Sequence, residues 1–454
     1  MASRMNYHSH KDSSISASFG DALLASLAPD GGLWMPDEIP HFKPEETARM
    51  GAMSFADCAA ELAAYFTDAR FSSDDLKALC EDAYNFDVPM VTFGGEKLDP
   101  SLAPDADNFI LELFHGPTLA FKDFAARFMG RAASHIMSAK KQKRTILVAT
   151  SGDTGGAIGD AFLDQDGIQV FILFPKGGVS AVQEQQLTTM GSTHSNVKAI
   201  SVNGTFDDCQ QLVKAAFADS ELTEKHSLMS ANSINVGRVI PQSFYYFWTS
   251  LKAKAAYPSR PLVYSIPSGN LGNLTGGLIA KKMGAPIDRF VVGNNANDPF
   301  VDYLSSGIYE PRPSVPTLSN AMDIGRPNNF PRILTLFDES FAEIVEVCWG
   351  ASFSDIETER HIRRVHTETG YVMCPHTAVG HLAMEKFAAD VTFPFTRVTV
   401  GTAHPAKFAD SVERILHTQI PMPDPLKKVM KKKKRMHIMG PTLDDLSDYL
   451  AMHA

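Results

Sequence analysis

The sequence predicts an α/β protein: two open, parallel-sheet domains behind a mainly helical N-terminal domain, with a short C-terminal extension. Three observations carry this. From about residue 108, short runs rich in β-branched and aromatic residues recur as NFILELF, TILVAT, VFILFP, VKAISVN, LVYSIP, RFVVGNN and RVTVGTA. Helical stretches lie between most of them, the rhythm of parallel sheets covered on both faces. The length of 454 residues exceeds one ordinary core and suggests two to four packed units.

Residues 1–100 read as an N-terminal domain of helix and loop. FGDALLASLA, Phe19 to Ala28, has helical apolar spacing, and PDGGLWMP then stops it with turn residues. SFADCAAELAAYF and SSDDLKALCEDAY read as capped helices; Ser72 precedes an acidic first turn, which suits the positive end of a helix. Residues 101–255 and 256–420 read as the two α/β domains, divided near 250 to 260, with a cleft between them. Ligands in such folds sit beyond the C-terminal ends of the strands. In the tail, 421–454, PMPDP breaks the structure, KKVMKKKKRM is a charge run and LDDLSDYLAMHA a short final helix. The lysine run reads as a solvated face or connector.

A composition of 44% hydrophobic and 21% charged residues is that of a globular enzyme, and a formal charge of −10 argues against a general nucleic-acid binder. The basic run Lys427 to Arg435 lacks the aromatic interleaving or apolar face that would reverse this. Cys58, Cys80, Cys209, Cys348 and Cys374 show no CxxC spacing and read as reduced thiols. No apolar core follows a basic segment at the N-terminus, and no apolar run approaches a membrane span. The expectation is a cytoplasmic protein, monomer or homodimer, with no membrane or nucleic-acid partner.

Chemistry concentrates in a few segments. In HGPTLAFKDF, Lys122 stands among Leu119, Ala120, Phe121 and Phe124, where a helix begins. A desolvated lysine loses basicity and becomes a nucleophile that can form a Schiff base with a carbonyl. Taken alone, the same residue could snorkel its charge to water. TILVATSGDTGGAIGDAF runs a strand into a hydroxyl-rich turn carrying Ser151, Asp153 and Thr154, with a helix starting near Gly156. Free N–H groups and hydroxyls there suit a carboxylate, although a capped connection without ligand has the same pattern. LVYSIPSGNLGNLTGG carries Gly269, Asn270, Leu271, Gly272 and Asn273 in a glycine-rich turn between strand and helix. It suits a phosphate, but it lacks both the nucleotide P-loop and the dinucleotide fingerprint, so the phosphate of a small cofactor fits better.

ANSINVGRVIPQ places Asn235 and Arg238 three residues apart at a helix start, where a guanidinium fork could clamp a second anion; an ordinary surface cap would look alike. GTAHPAKFAD gathers Thr402, His404 and Lys407 after the last strand. The pairs His361/His366 and His376/His381 are five apart, not the two-ligand helical spacing, so structural roles are favoured over metal.

Together these segments resemble the threonine synthase family, pyridoxal-phosphate enzymes of the tryptophan-synthase-β fold (fold type II), in its long form. The resemblance spans roughly residues 19 to 420 through LAPDGGLWMP, ELFHGPTLAFKDFAARFMG, ATSGDTGGAI, SGNLGN, TLSNAMDIGRPNNFPR, PHTAVGH and GTAHPAKF, in family order. It implies that Lys122 holds pyridoxal 5'-phosphate and serves as base at Cα. It implies that residues Gly269 to Asn273 cradle the cofactor phosphate, with Thr402 beside the pyridine nitrogen and Asp153 near the ring. Ser151 and Thr154 fall at the substrate carboxylate, and Asn235 and Arg238 at the substrate phosphate. His404 and Lys407 lie in a motif near the site without an assigned role. NYHSHKDSS in place of the family's Ser-Thr-Arg-Gly run, and the lysine-rich tail, depart from the pattern.

The implied reaction is conversion of O-phospho-L-homoserine and water to L-threonine and phosphate, by γ-elimination and β-addition of water. Three rivals share motifs with it. A phospholyase would give 2-oxobutanoate, ammonia and phosphate. A dehydratase of free serine or threonine would not need Arg238, and a non-catalytic cofactor-binding protein would not need Lys122.

Overall fold

All seven runs expected as strands form strands. The computed structural model describes residues 5–95, 107–140, 143–190 and 195–453; the expected division between residues 100 and 101 lies outside them. In chain order the strands are β1 (Asn6–Ser9), β2 (Ser16–Ser18), β3 (Trp34–Pro36), β4 (Met90–Val91), β5 (Asn108–Glu112), β6 (Arg144–Ala149) and β7 (Ile168–Pro175). They continue as β8 (Val197–Val202), β9 (Leu228–Ser230), β10 (Leu262–Pro267), β11 (Arg289–Asn294), β12 (Cys348–Ser352), β13 (Thr396–Gly401) and β14 (His437–Met439).

Two sheets carry the site. One has the order β14-β8-β7-β6-β9 and is wholly parallel; the other has the order β12-β11-β10-β13-β5-β4, parallel except where β4 meets β5. All six residues of β10 are buried, which is why the strand reads as an apolar run rather than an alternation. The helix Ile240–Ala256 lies between the sheets. It is apolar nearly all round: Phe244 packs edge-on against Phe128, and Tyr246 against Tyr264 and Phe290. A helix that buries most of its faces joins two layers into one core.

Chain order and sheet membership differ in two places. β5, from the segment read as the first α/β domain, pairs with β13 in the second sheet, Arg397 opposite Asn108. β14, from the tail read as an extension, adds a parallel strand to β8, with Met439 opposite Val202. The lysine run is therefore docked rather than loose. Its first half lies in the helix Asp424–Met430, Gln185 donates to the carbonyls of Val429 and Lys432, and Lys434 pairs with Glu184. The expected final helix forms over Leu443–His453 and buries Leu446, Tyr449 and Leu450.

In the N-terminal segment the expected helices appear at Phe19–Ala25, Phe55–Phe66 and Ser73–Ala83, capped by Ser18, Ser54 and Ser72. The reading of helix and loop missed an antiparallel sheet in the order β2-β1-β3. All five cysteines are buried and free. Among the described residues, no helix is long and apolar enough to cross a membrane.

Candidate active site

Five parallel strands, β5, β6, β9, β10 and β13, end toward one cavity of about 430 Å³ and a smaller recess of about 40 Å³ beside it. Lys122 lines both. It is the first residue of the helix Lys122–Lys140, as the sequence predicts. The preceding segment is pinned to the end of β13: Ala120 bridges Ala403, and the Phe121 amide donates to the Thr402 carbonyl at 2.8 Å. The ammonium lies over the Phe121 ring, 4.9 Å from its centre. Burial pushes the Lys122 pKa down to about 8, against the opposing pull of Asp153 and with help from the cations Arg238 and Lys407. Its amine therefore exchanges its proton near neutral pH.

Beyond β10 the chain turns through Ser268 to Leu271 and enters the helix Gly272–Lys282, so Gly272 and Asn273 form its first turn. The first intrahelical bond runs from Thr275 N to Leu271 O, and the N–H groups before it point toward the cavity end. Tyr245 and Tyr246 both donate to Asn273 Oδ1, at 2.8 and 2.7 Å. That leaves the Asn273 amide NH₂ without an acceptor. Among the residues lining the cavity and the recess, Asn273 Nδ2, Ser268 Oγ, Arg238 Nε and His376 Nδ1 are buried without a hydrogen-bond partner, as are further side-chain atoms elsewhere in the fold. Donors held ready at a helix start match a bound phosphate. A Cβ on Gly269 would lie 2.9 Å from Met322 Cα, so only glycine lets the 319–323 loop roof this turn. The residues present thus fit pyridoxal phosphate: a phosphate cradle, an amine for its aldehyde and a narrow recess.

The loop after β6 lies across the cavity. Thr150 Oγ1 accepts from the amides of Gly152 and Gly155, each at 2.9 Å, and folds the turn. Gly152 has φ +131° and packs against Gln183, a conformation that favours glycine. Ser151 and Thr154 line the cavity, and the helix begins at Asp153, three residues earlier than its expected start at Gly156. Asp153 lines the recess, where its carboxylate meets Lys407 Nζ at 3.0 Å, Lys122 Nζ at 4.0 Å and Gln183 Nε2 at 3.0 Å. Burial disfavours its charge, but the two lysines and Gln183 outweigh burial and hold the carboxyl well below the usual range.

Asn235 and Arg238 part company. Arg238 lines the cavity, donates through one terminal nitrogen to the Ala231 carbonyl and keeps Nε unpartnered. Burial lowers its pKa to about 10, with Asp123 opposing. Asn235 does not reach the cavity lining. It is fully buried, caps the 3₁₀ turn Val236–Arg238 by accepting from Gly237 N, and donates to the carbonyls of Leu23 and Ser230. Its geometry positions the arginine and ties that turn to the helix Phe19–Ala25.

Thr402 lines the recess at the end of β13. His404 faces elsewhere: its Nδ1 accepts from the Ala406 amide, its ring meets Phe114 edge-on, and burial lowers its pKa to about 4. Two contributors, Thr150 and Arg332, were not singled out from sequence, and a third, His376, was read only as structural. Thr150 shapes the carboxylate loop. His376 lines the recess, its Nε2 receiving the Ala321 amide at 3.1 Å. Arg332, in the RPNNFPR segment, is buried and gathers the carbonyls of Trp34, Ser233 and Ile234 behind the cavity. His361 and His381, from the two histidine pairs, meet at 2.8 Å beside Glu385, with Arg364 bonded to both His361 and Glu385; they line neither cavity.

Family models agree with this geometry along the chain. Residues 6–84 match the model described as threonine synthase N terminus, 103–398 the pyridoxal-phosphate dependent enzyme model, and 377–450 the model for threonine synthase, C-terminal. The threonine synthase of Haemophilus influenzae is 40% identical over 427 residues, covering 93% of this chain and 94% of its own. The crystal structure of threonine synthase from Brucella melitensis, with pyridoxal phosphate bound, superposes with a TM-score of 0.90 at 34% identity and covers 99% of both chains. That of Escherichia coli threonine synthase superposes at 0.88 with 36% identity, covering 99% of this chain and 100% of its own. With likeness running from end to end and a cradle, amine and recess shaped for the cofactor, the chain belongs to the threonine synthase family of pyridoxal-phosphate-dependent enzymes.

Proposed function

We propose that the chain converts O-phospho-L-homoserine and water to L-threonine and phosphate. One observation carries the reading: the buried amine of Lys122 and the guanidinium of Arg238 share one cavity with two separate anion-binding loops, after β6 and after β10. That is one anion site for a cofactor phosphate, one for a substrate carboxylate and a cation for a substrate phosphate. A substrate without phosphate would leave Arg238 idle.

When bound, pyridoxal phosphate supplies the electron sink for breaking bonds beside the amine-bearing carbon. Residues 269–273 would hold its phosphate through the backbone N–H groups at the helix start. Ser151 and Thr154, with the helix start behind them, orient the substrate carboxylate. Lys122, with a pKa near 8, takes the proton from Cα and returns protons along the chain of carbons. Arg238 neutralises charge on the departing phosphate and keeps Lys122 from drawing a stray proton. Thr402 offers a hydroxyl at the recess, a neutral partner for the ring nitrogen that leaves electron withdrawal moderate. The active form is a cytoplasmic monomer or homodimer.

The test is incubation with O-phosphohomoserine and identification of both products. Phosphate with L-threonine supports the reading. Phosphate with ammonia and 2-oxobutanoate identifies a phospholyase instead.

A further inference from the structure

Asn329 stands at the start of the helix Phe330–Leu336 and does not cap it, although an asparagine there ordinarily accepts from the first amides. Its side chain is spent elsewhere. Oδ1 accepts from the Arg332 guanidinium, and Nδ2 donates to the Asn270 carbonyl at 3.0 Å. A guanidinium can only donate and a carbonyl can only accept, so the two ends of the amide cannot be exchanged. Both residues are buried, and burial lowers the Arg332 pKa only to about 9, so it stays a donor at neutral pH. The Asn329 backbone N–H adds a second bond to the same carbonyl at 3.3 Å, and the Asn328 N–H holds Asn270 Oδ1 at 3.1 Å.

The gripped carbonyl belongs to a trans peptide, so the N–H of that peptide, on Leu271, points the opposite way. The carbonyl points at Asn329, which does not line the cavity, whereas Leu271 does. The Leu271 side chain packs in the core, and its own carbonyl accepts from the Thr275 amide and hydroxyl, each at 2.8 Å. Its N–H is the one polar group it has left, and among the described residues that group has no acceptor. Leu271 also has φ +59°, in the left-handed region that a leucine holds only where its surroundings impose it.

We propose that Asn329, oriented by Arg332, is a positioning residue for the cofactor: its grip on the Asn270 carbonyl keeps the 270–271 peptide turned so that the Leu271 N–H is offered to the phosphate of pyridoxal phosphate. The inference rests on the assignment of residues 269–273 to that phosphate. The strain at Leu271 is then part of the cradle, held in place by a side chain that touches no ligand. Arg332 also binds the carbonyls of Trp34, Ser233 and Ile234, so the same guanidinium ties the phosphate turn to the N-terminal segment.

Asn329→Ala removes the side-chain grip and adds no charge. Retention of pyridoxal phosphate by this variant should fall about tenfold, whereas affinity for pyridoxal, which has the ring and aldehyde without the phosphate, should stay within about twofold of wild type. The ³¹P resonance of the bound cofactor should change its titration as well. N–H donors favour the dianion, so the second ionisation lies below its free value of about 6 in wild type and should climb toward it in the variant. An unchanged preference for pyridoxal phosphate over pyridoxal, or an unmoved titration, overturns the proposal.

A measurement on the unaltered chain guards against a variant that does not fold. In ¹⁵N-leucine-labelled protein, the Leu271 amide resonance should move downfield when cofactor-free protein takes up pyridoxal phosphate and stay in place with pyridoxal. A resonance that responds equally to both overturns the proposal. Gly269→Ala tells two failures apart. If it weakens cofactor retention and Asn329→Ala does not, the role of Asn329 alone falls. If both variants keep the cofactor and instead raise the KM for O-phosphohomoserine, the assignment of the loop to the cofactor falls with it.

Discussion

Asp153 and Lys407 form an ion pair of 3.0 Å in which neither side chain reaches solvent to a useful extent. They come from different sheets, Asp153 after β6 and Lys407 after β13. Lys407 Nζ also donates to the Thr118 carbonyl at 2.7 Å, so one lysine ties together the segment before Lys122, the carboxylate loop and the turn after β13.

Removing that lysine strands a buried carboxylate. Lys407→Met should cost about 3–5 kcal/mol of stability, measured by urea unfolding. The double variant Lys407→Met with Asp153→Asn should recover a large part of the loss, because the stranded carboxylate is gone and Lys122, its other partner, can shed its proton and rest as a neutral amine. A double variant as unstable as the single would show that Lys407 stabilises through packing alone.

Lys122 sets a pH dependence that follows from its own depressed pKa of about 8. The reactive form is the neutral amine, whose fraction rises with pH through the folded pKa. Capture of pyridoxal phosphate by cofactor-free protein should accelerate about tenfold per pH unit below about 8 and level off above it, read by stopped-flow absorbance. An ordinary lysine would keep rising to about 10.4. Because Lys407 helps depress Lys122, the midpoint should move upward in Lys407→Met. In Lys122→Ala, borohydride should trap no cofactor.

The phosphate cradle has one tight glycine and one open one. A Cβ on Gly269 meets Met322 backbone at 2.9 Å, whereas one on Gly272 comes no nearer than 3.4 Å to Asn329 Nδ2, 3.7 Å to Ser233 Cβ and 3.8 Å to Gln242 Nε2, ordinary contact distances. Gly269→Ala should weaken cofactor retention by roughly tenfold or more, the effect of about 1–3 kcal/mol of overpacking. Gly272→Ala should stay near wild type and Gly272→Leu should not. If these changes lower substrate affinity and leave the cofactor stoichiometric, the two anion loops have exchanged roles.

Arg238 and Asn235 should now separate in experiment. Arg238→Ala should leave cofactor binding intact and weaken substrate binding by about 1.5–3 kcal/mol, with a much smaller loss for an analogue lacking the phosphate. Equal losses for both ligands would remove the arginine from phosphate recognition. Asn235→Ala should instead lower stability by about 0.5–2 kcal/mol or more, since a cap and two carbonyl partners go together.

Strand positions were legible because buried parallel strands leave continuous apolar runs, as in LVYSIP and VFILFP. β12 was not: CWGAS holds no β-branched residue, and its pairing with β11 rather than propensity makes it a strand. β9 and β14, three residues each, are too short for any period to show. The strand-end loops were legible because glycines and hydroxyls cluster where a chain must turn with its N–H groups inward. Lys407 and His376 gained their places from partners far away in sequence, Asp153 and Ala321, which no local pattern encodes. Asn235 was misread because spacing by three was taken as one face of a helix. The segment is a 3₁₀ turn that its side chain caps from inside.

Both large sheets are completed by late strands: β13 follows its neighbour β5 by well over half the length of the chain, and β14 lies within the last eighteen residues. A ribosome releasing this polypeptide from its N-terminus has made Lys122 and both glycine-rich loops long before it supplies the edge that completes the first sheet. Synthesis must therefore finish before that sheet can. A message cut short near residue 430 would yield a chain with every cofactor-binding residue present and an open edge at β8, a template for pairing with the wrong neighbour.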